Sequence, residues 1–326
     1  MHGTASEAHP HRESIARRVA RRCGVFGDFP SRLAHGVMPF LPWFMEPLLI
    51  RLWTFVFFLI AGEQRRAVAH NLRALHPHWP KWRATHGAWR VFVNFATTFT
   101  DALRCESGTG SLDWQVDGLD AFESLAAPGP GRIVLTAHMG NYDIAAPAFS
   151  GRFGRTLFTV RAPERQAENQ KIRERRIREN EALHPNFRTL YNTGDGMLGL
   201  QLAQELRAGN LVAVQADRVM FDVSPLDVEV EPGLVMRLPK GPLALARATG
   251  APCQPLFITR SGWRSYRITV RQPLVLPARP RGTSTDNPAA QVWGNAVLEI
   301  IRPHWDQWFV FEKLLHRGDT KPITAA

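Results

Sequence analysis

Two residues five apart, His138 and Asp143, have the types and spacing best suited to chemistry. They lie in the stretch GRIVLTAHMGNYDIAAPAFS, Gly131 to Ser150. Ile133 to Ala137 is short, β-branched and apolar, which predicts a buried strand of an α/β sheet. The strand stops at His138, Gly140 and Asn141 make a turn, and a helix with an apolar face runs from Asp143. Residues five apart on one helix do not share a face. With His138 in the turn and Asp143 in the first helical turn, however, the carboxylate can come back to the imidazole. The positive end of the helix dipole also favours Asp143 there. A neutral imidazole can take a proton from a hydroxyl, while a carboxylate on its other nitrogen sets the tautomer and stabilises the imidazolium. No G-x-S-x-G elbow is present, and no Ser or Cys flanks His138. The base would therefore act on the substrate's own hydroxyl or amine, in a direct transfer. The alternative is structural: Asn141 caps the helix, Asp143 serves its dipole and His138 is a hydrogen-bonded core residue. For a short motif standing alone, that alternative is the more frequent.

Composition sets the frame for these residues. The chain has 326 residues and is 44% hydrophobic, enough for one large α/β domain with a helical N-terminal extension. Its formal net charge is +11 and arginine supplies most of the positive charge. That balance suits anionic partners: a phospholipid surface, an acidic carrier protein or nucleic acid. Cys23, Cys105 and Cys253 are far apart with no C-x-x-C pair, so reduced thiols that bind no metal are expected. The first residues are polar and rich in His and Arg, without the apolar segment of a cleavable signal peptide.

Residues 1–29 read as a basic tail, 30–105 as a helical membrane-associating segment and 106–326 as the α/β domain. Val37 to Gly62 is the most apolar region, but Glu46, Arg51 and three prolines interrupt it. The uncharged run Leu52 to Gly62 falls short of the roughly 20 residues a bilayer span needs. Trp43 and Trp53 inside it, with Arg65 and Arg66 after it, fit an interfacial helix pair on a membrane. A buried helix of the globular fold is the alternative, and a single span requires Arg51 to snorkel. Helices are expected over Gln64 to His76 and Lys81 to Arg104, the second with aromatics at core spacing. Strands are expected at Leu112 to Val116, Arg155 to Val160 and Leu211 to Gln215, the last leading into Asp217-Arg218. Cys253 to Thr259 and Arg264 to Val270 read as a hairpin, and Pro288 to Arg302 as a helix. The helix starting at Gly241, with Lys240 beside it, offers an anion-binding N-terminus.

HMGNYD resembles the H-x4-D/E block of the lysophospholipid acyltransferase superfamily. It is closest to the branch holding the lipid A late acyltransferases (lauroyl and myristoyl transferases) and the mycobacterial phosphatidylinositol mannoside acyltransferases. Tyr142 stands where that branch usually has Trp. RRAVAHNL, VRAPE, AVQADR, LPKGPLALARATGAPCQPLF and RPHWDQWFVFEKL are similar to further blocks of the family, in the family's order. The resemblance implies a single domain with a central mixed β-sheet flanked by helices, after an apolar N-terminal helical segment. It implies transfer of an acyl group from an acyl-carrier-protein or coenzyme A thioester to a hydroxyl of a lipid or glycolipid. His138 would be the base and Asp143 its orienting carboxylate. Glu231 of the VEVEPG string would be a further partner for His138, with Glu229 as fallback. Asn141, Arg161, Asp217, Arg218, Lys240 and Gly241 would bind substrate, the cations holding phosphate or headgroup charge.

No metal or bound cofactor is expected, nor nucleic acid as a partner. The protein is expected to be a monomer at the cytoplasmic face of a bacterial inner membrane, peripheral or single-span. N-acyl transfer and a glycolipid acceptor of the phosphatidylinositol mannoside kind are alternatives. A nucleic-acid-binding role would rest on charge alone, since no recognition helix or basic-aromatic platform is visible. Hydrolysis, with His138 activating water, would use the same site.

Overall fold

The computed structural model describes residues 42–164, 167–194, 196–219, 225–278 and 287–318, so the basic tail expected over 1–29 lies outside the described residues. The described chain opens with three helices, α1 (Glu46–Ile60), α2 (Gly62–Leu75) and α3 (Lys81–Glu106). Pro47 sits in the first turn of α1, where its missing N–H costs no helical bond. α1 buries Glu46, Ile50, Thr54 and Phe57 on one side and exposes Leu48, Leu52, Phe55 and Leu59 on the other. Both stripes follow the helical period, so α1 is apolar on its solvent side as well. Phe58 packs edge-on against Trp89 and Phe92 of α3, and Val68 and Leu72 of α2 meet Ala84, Ala88 and Val91.

The chain then alternates strands and helices: β1 (Asp113–Asp117), α4 (Leu119–Glu123), β2 (Arg132–Thr136), α5 (Tyr142–Ser150), β3 (Leu157–Arg161), α6 (Ala167–Leu183), β4 (Phe187–Tyr191), α7 (Met197–Arg207) and β5 (Leu211–Gln215). An antiparallel ribbon follows, β6 (Pro225–Glu231) and β7 (Leu234–Pro239). α8 (Gly241–Thr249), β8 (Cys253–Gly262), β9 (Ser265–Val270), α9 (Asn287–Ile301) and β10 (Leu315–Arg317) complete it. Element bounds agree with the sequence-based expectations to within three residues, the strand Leu211–Gln215 coinciding and the others shifted as cap and fray positions are.

Seven strands form one mixed sheet in the order β1-β9-β8-β2-β5-β3-β4, parallel except for the β8–β9 hairpin. β2 lies in its middle and alternates between two cores. Ile133 and Leu135 face the larger, beside Trp293 of α9, and Val134 faces the smaller, beside Ile258 and Tyr266. Burial on both faces is why this stretch reads as continuously apolar. A third core joins α2 and α3 to Phe309 near the chain's end. β10, β7 and β6 make a separate sheet in which Val228 and Val230 point inward while Glu229 and Glu231 point out.

A buried ion cluster fixes α1 to the sheet. The Glu46 carboxylate is fully buried and accepts hydrogen bonds from Arg264 Nη2 at 3.0 and 3.1 Å. It also pairs with Arg104 at the end of α3. Arg264 occupies the tight turn between β8 and β9 with φ +53°, a conformation that side-chain-bearing residues rarely adopt. One carboxylate therefore holds the start of α1, the end of α3 and the hairpin together. Removing it strands two cations in poor solvent contact, so Glu46→Ala should cost about 3–5 kcal/mol. Arg90→Ala, which breaks the exposed pair with Asp306, should cost less than about 1 kcal/mol. Chemical denaturation of both variants checks this, and equal losses would show that the Glu46 cluster is not the anchor.

Candidate active site

The site lies at the carboxyl ends of the central parallel strands, where open α/β sheets bind ligands. Thr136 of β2 pairs in register with Gln215 of β5. Two residues further along each chain stand His138 and Asp217, side by side by the same register. His138 Nδ1 and Asp217 Oδ1 are 2.7 Å apart, and the backbone N–H of His138 donates to Asp217 Oδ2 at 2.9 Å. Trp308 Nε1–H donates to the same Oδ2 at 2.8 Å. Burial by itself pushes the Asp217 carboxyl up; the His138 charge and the bonds from His138 and Trp308 outweigh it and hold it below the usual aspartate range. An ionised Asp217 accepts, so the imidazole carries its proton on Nδ1 and its lone pair on Nε2. The His138 side chain keeps 13% of its surface exposed while Asp217 keeps none, so the imidazole reaches solvent and its partner does not.

The turn after His138 is held just as closely. Gly140 has φ +58°, and a Cβ there would lie 2.4 Å from the Ile258 carbonyl oxygen of β8. Only glycine fits that approach. Asn141 is buried and donates from Nδ2 to the Thr98 carbonyl of α3 at 3.2 Å, binding the turn to the helical layer. It occupies the N-cap position of α5, but its side chain makes no capping bond. Behind His138 the end of the chain closes over: Met139 bridges Trp308, and the Phe309 N–H donates to the His138 carbonyl at 2.8 Å.

Two expected partners of His138 are engaged elsewhere. Asp143 does lie in the first turn of α5, but its carboxylate pairs with Arg161 at the end of β3, with Arg173 of α6 at 4.0 Å. The carboxylate beside the imidazole is instead Asp217, because adjacent parallel strands in register deliver it there. Asp217 thus takes a different position from the substrate contact expected of it. Glu231 is held by Arg302 and Arg317, each at 2.5 Å. Burial pushes its carboxyl up, and those two arginines together outweigh it and bring it below the usual range. Its fallback, Glu229, accepts the Gly233 N–H within its own ribbon. Both oxygens of Glu231 are thus occupied on the β6–β7 sheet, not on the imidazole.

The remaining expected residues fall as follows. Arg161 faces Asp143, beside Tyr142, whose ring stands edge-on to His138 at 6.1 Å. Burial pushes the Tyr142 phenol up, and the Asp143 charge adds to that, so it stays a neutral donor. Arg218 follows Asp217 and pairs with Glu312 at 3.1 Å. Lys240 and exposed Gly241 start α8. Trp308 and Phe309 went unassigned at sequence level, although WDQWFVF is the most aromatic short string near the C-terminus. Among the described residues no cluster of His, Cys, Asp and Glu has the makings of a metal site. Cys105 and Cys253 are free thiols pushed up by burial, to about 11 and about 12.

The depressed Asp217 carboxyl sets an acid limit on stability. Its contribution is fully present above the ordinary aspartate pKa of about 3.9 and is lost as pH falls through the lower folded value. Asp217→Asn should therefore be less stable at neutral pH and lose less on acidification than the unsubstituted protein. Urea titrations from about pH 6 down to pH 3 test this; identical acid slopes would count against the ionised pair.

Comparison with known proteins adds identity to this geometry. Residues 37–317 match the model of the bacterial lipid A biosynthesis acyltransferases. The phosphatidylinositol mannoside acyltransferase of Mycobacterium tuberculosis H37Rv is 32% identical over 156 residues, 47% of this chain and 46% of the relative. The protein of the same name from strain CDC 1551 / Oshkosh matches to the same extent. The matched segment thus spans about half the length of each relative. With the family model covering most of the described chain, the protein belongs to the bacterial lipid A biosynthesis acyltransferase family.

Proposed function

We propose that the protein is a membrane-associated acyltransferase that moves a fatty acyl group from a thioester donor to a hydroxyl of a lipid or glycolipid. The observation that supports this best is the His138–Asp217 pair, with Nδ1 committed to a fully buried carboxylate and Nε2 left as the base. Nε2 takes the proton of the acceptor hydroxyl as its oxygen attacks the thioester carbonyl. The tetrahedral intermediate then expels the thiolate, which receives the proton from the imidazolium. Asp217 holds the ring and stabilises its charge throughout. Arg161, paired with Asp143, would meet a phosphate of either substrate with its planar fork. The steps draw on side chains and the two substrates alone, the donor being an acyl carrier protein or coenzyme A thioester.

Two acceptor classes are in view. The family model favours a lipid A precursor, and the mycobacterial relatives favour a phosphatidylinositol mannoside. Purified protein should be offered acyl-carrier-protein and acyl-coenzyme A donors against both acceptors, with the products read by lipid mass spectrometry. His138→Ala should lower turnover by about 10²–10⁴-fold on the accepted pair while thermal melting stays near that of the unsubstituted protein. Turnover within a few-fold would remove His138 from the mechanism. Accumulation of free fatty acid, with either acceptor left unmodified, would favour hydrolysis.

Membrane association rests on the outer face of α1. Leu48, Leu52, Phe55 and Leu59 form an exposed apolar stripe, flanked by Trp43 and Trp53 and by the basic Arg65 and Arg66 of α2. Among the described residues no helix is long and apolar enough to cross a membrane. At about 1.5 Å per residue α1 is roughly 22 Å long, and it suits a position in the plane of the lipid headgroups. Leu48→Ser, Leu52→Ser, Phe55→Ser and Leu59→Ser combined should cut co-sedimentation with anionic phospholipid vesicles by at least about tenfold. Unchanged sedimentation would place membrane contact elsewhere.

A further inference from the structure

Two histidines outside the candidate active site meet across the seam between α2 and β10. The ring centroids of His70 and His316 are 5.7 Å apart, with the planes tilted by 56°. Both residues are half-buried. His70 Nε2 lies 3.0 Å from the Leu315 carbonyl oxygen, which can only accept, so that nitrogen carries a proton. His316 Nε2 is buried and has no hydrogen-bond partner among the described residues. A neutral His316 leaves only a lone pair there, whereas a charged ring would bury an N–H without an acceptor. Bonds to the backbone close the rest of the seam. Asn71, next to His70, donates to the Glu312 carbonyl at 2.7 Å and accepts from the N–H groups of Leu314 and Leu315 at 3.0 and 3.2 Å. Arg317 Nε donates to the Ala74 carbonyl at 2.7 Å.

We propose that the α2–β10 seam is an acid-sensitive latch, closed while both imidazoles are neutral and opened when they are protonated. The charges around the pair are mostly positive. Lys313 faces both rings, Arg73 of α2 faces His70, and Arg237 of β7 faces His316. Asp227 of β6 is the carboxylate that faces His316, and Arg237 already holds it at 2.9 and 3.1 Å. Burial pushes the His70 ring down, Lys313 and Arg73 push it further, and the Leu315 carbonyl opposes them. Burial also pushes His316 down, with His70, Arg237 and Lys313 adding to it and Asp227 opposing. An opened seam returns both rings to the ordinary histidine range, near about 6.5. Above that pH the rings are neutral in both forms and closure is at full strength. Below it the open form binds protons that the closed form does not, so closure weakens as pH falls toward the lower closed-form values. Opening frees α2 from the segment that follows Trp308. Only Ala61 separates α2 from α1 in the chain, so the helix with the exposed apolar stripe loosens with it. The latch does not depend on the transfer chemistry.

Burial also pushes His76 and His304 down, so global acid stability does not single out this pair. The amides of Leu314 and Leu315 do, because Asn71 of α2 holds both across the seam. Their hydrogen exchange is measured on the full-length protein between pH 7.5 and pH 5.5 and corrected for the intrinsic pH dependence of exchange. Protection should fall by roughly tenfold or more over that range. His70→Gln combined with His316→Gln should keep most of it, since glutamine can still donate to the Leu315 carbonyl and does not titrate. His316→Gln alone, a change on an edge strand, should keep part of it. Lys313→Met should also reduce the loss, because it removes a cation that faces both rings. Protection that is unchanged at pH 5.5 in the unsubstituted protein overturns the latch. So does an equal loss in the histidine variants, or a larger one in Lys313→Met.

Discussion

A carboxylate with no access to water must be surrounded by donors, and that requirement organises this molecule. Asp217 has none of its surface exposed, yet its carboxyl is held below the usual range. Three donors achieve this: the His138 backbone, the His138 ring and the Trp308 indole. They come from the end of one strand and from a segment 91 residues beyond the aspartate. Each supporting feature keeps that arrangement dry and in register. β2 and β5 pair without a shift, Gly140 lets the turn press against β8, and Trp293 donates to the Ala216 carbonyl just before the aspartate. An aspartate left short of one donor here would carry the full desolvation penalty of a buried charge.

The histidine of the proposed site was legible in the sequence and the carboxylate beside it was not. His138 follows a short β-branched run, precedes Gly and Asn, and has no nucleophile beside it, all of which are local signals. The obvious carboxylate, Asp143, is local too, and proximity in the chain favoured it. Pairing across a parallel sheet is decided by register between segments 79 residues apart, which no spacing rule within one element reports. A trace was present: LTAH and VQAD are each a polar residue, an alanine and an ionisable residue closing a buried strand. Glu231 failed for the opposite reason. Its string alternates with period two, so its direction was legible as outward, but the arginines that meet it, Arg302 and Arg317, lie far along the chain. The elements themselves were largely readable, because long amphipathic helices and buried strands depend on periodicity within a window.

The helical layer does more than present an apolar stripe. Its inner side reaches the site at two points, Asn141 on Thr98 and the aromatic stack of Phe92 and Phe95 on Phe309 and Phe311. Its outer side is α1, which Glu46 ties to Arg104 and Arg264. Under the proposed function, the surface that meets lipid and the strand ends that hold the base are joined through packed aromatic rings and buried ion pairs, not through a flexible connection. That rigidity suits a reaction in which one substrate never leaves the bilayer, since the base must stay at a set height above the headgroups.

The position of Trp308 along the chain has a consequence for biogenesis. α1 is among the first described elements to leave the ribosome, whereas the indole that completes the Asp217 environment comes some 250 residues later. At about 5–20 residues per second that interval is about ten to fifty seconds. Through it, a growing chain displays an apolar helix while the His138–Asp217 pair still lacks the Trp308 donor. Under the proposed function, delivery to lipid can thus precede competence, and a chain released early would dock without reacting.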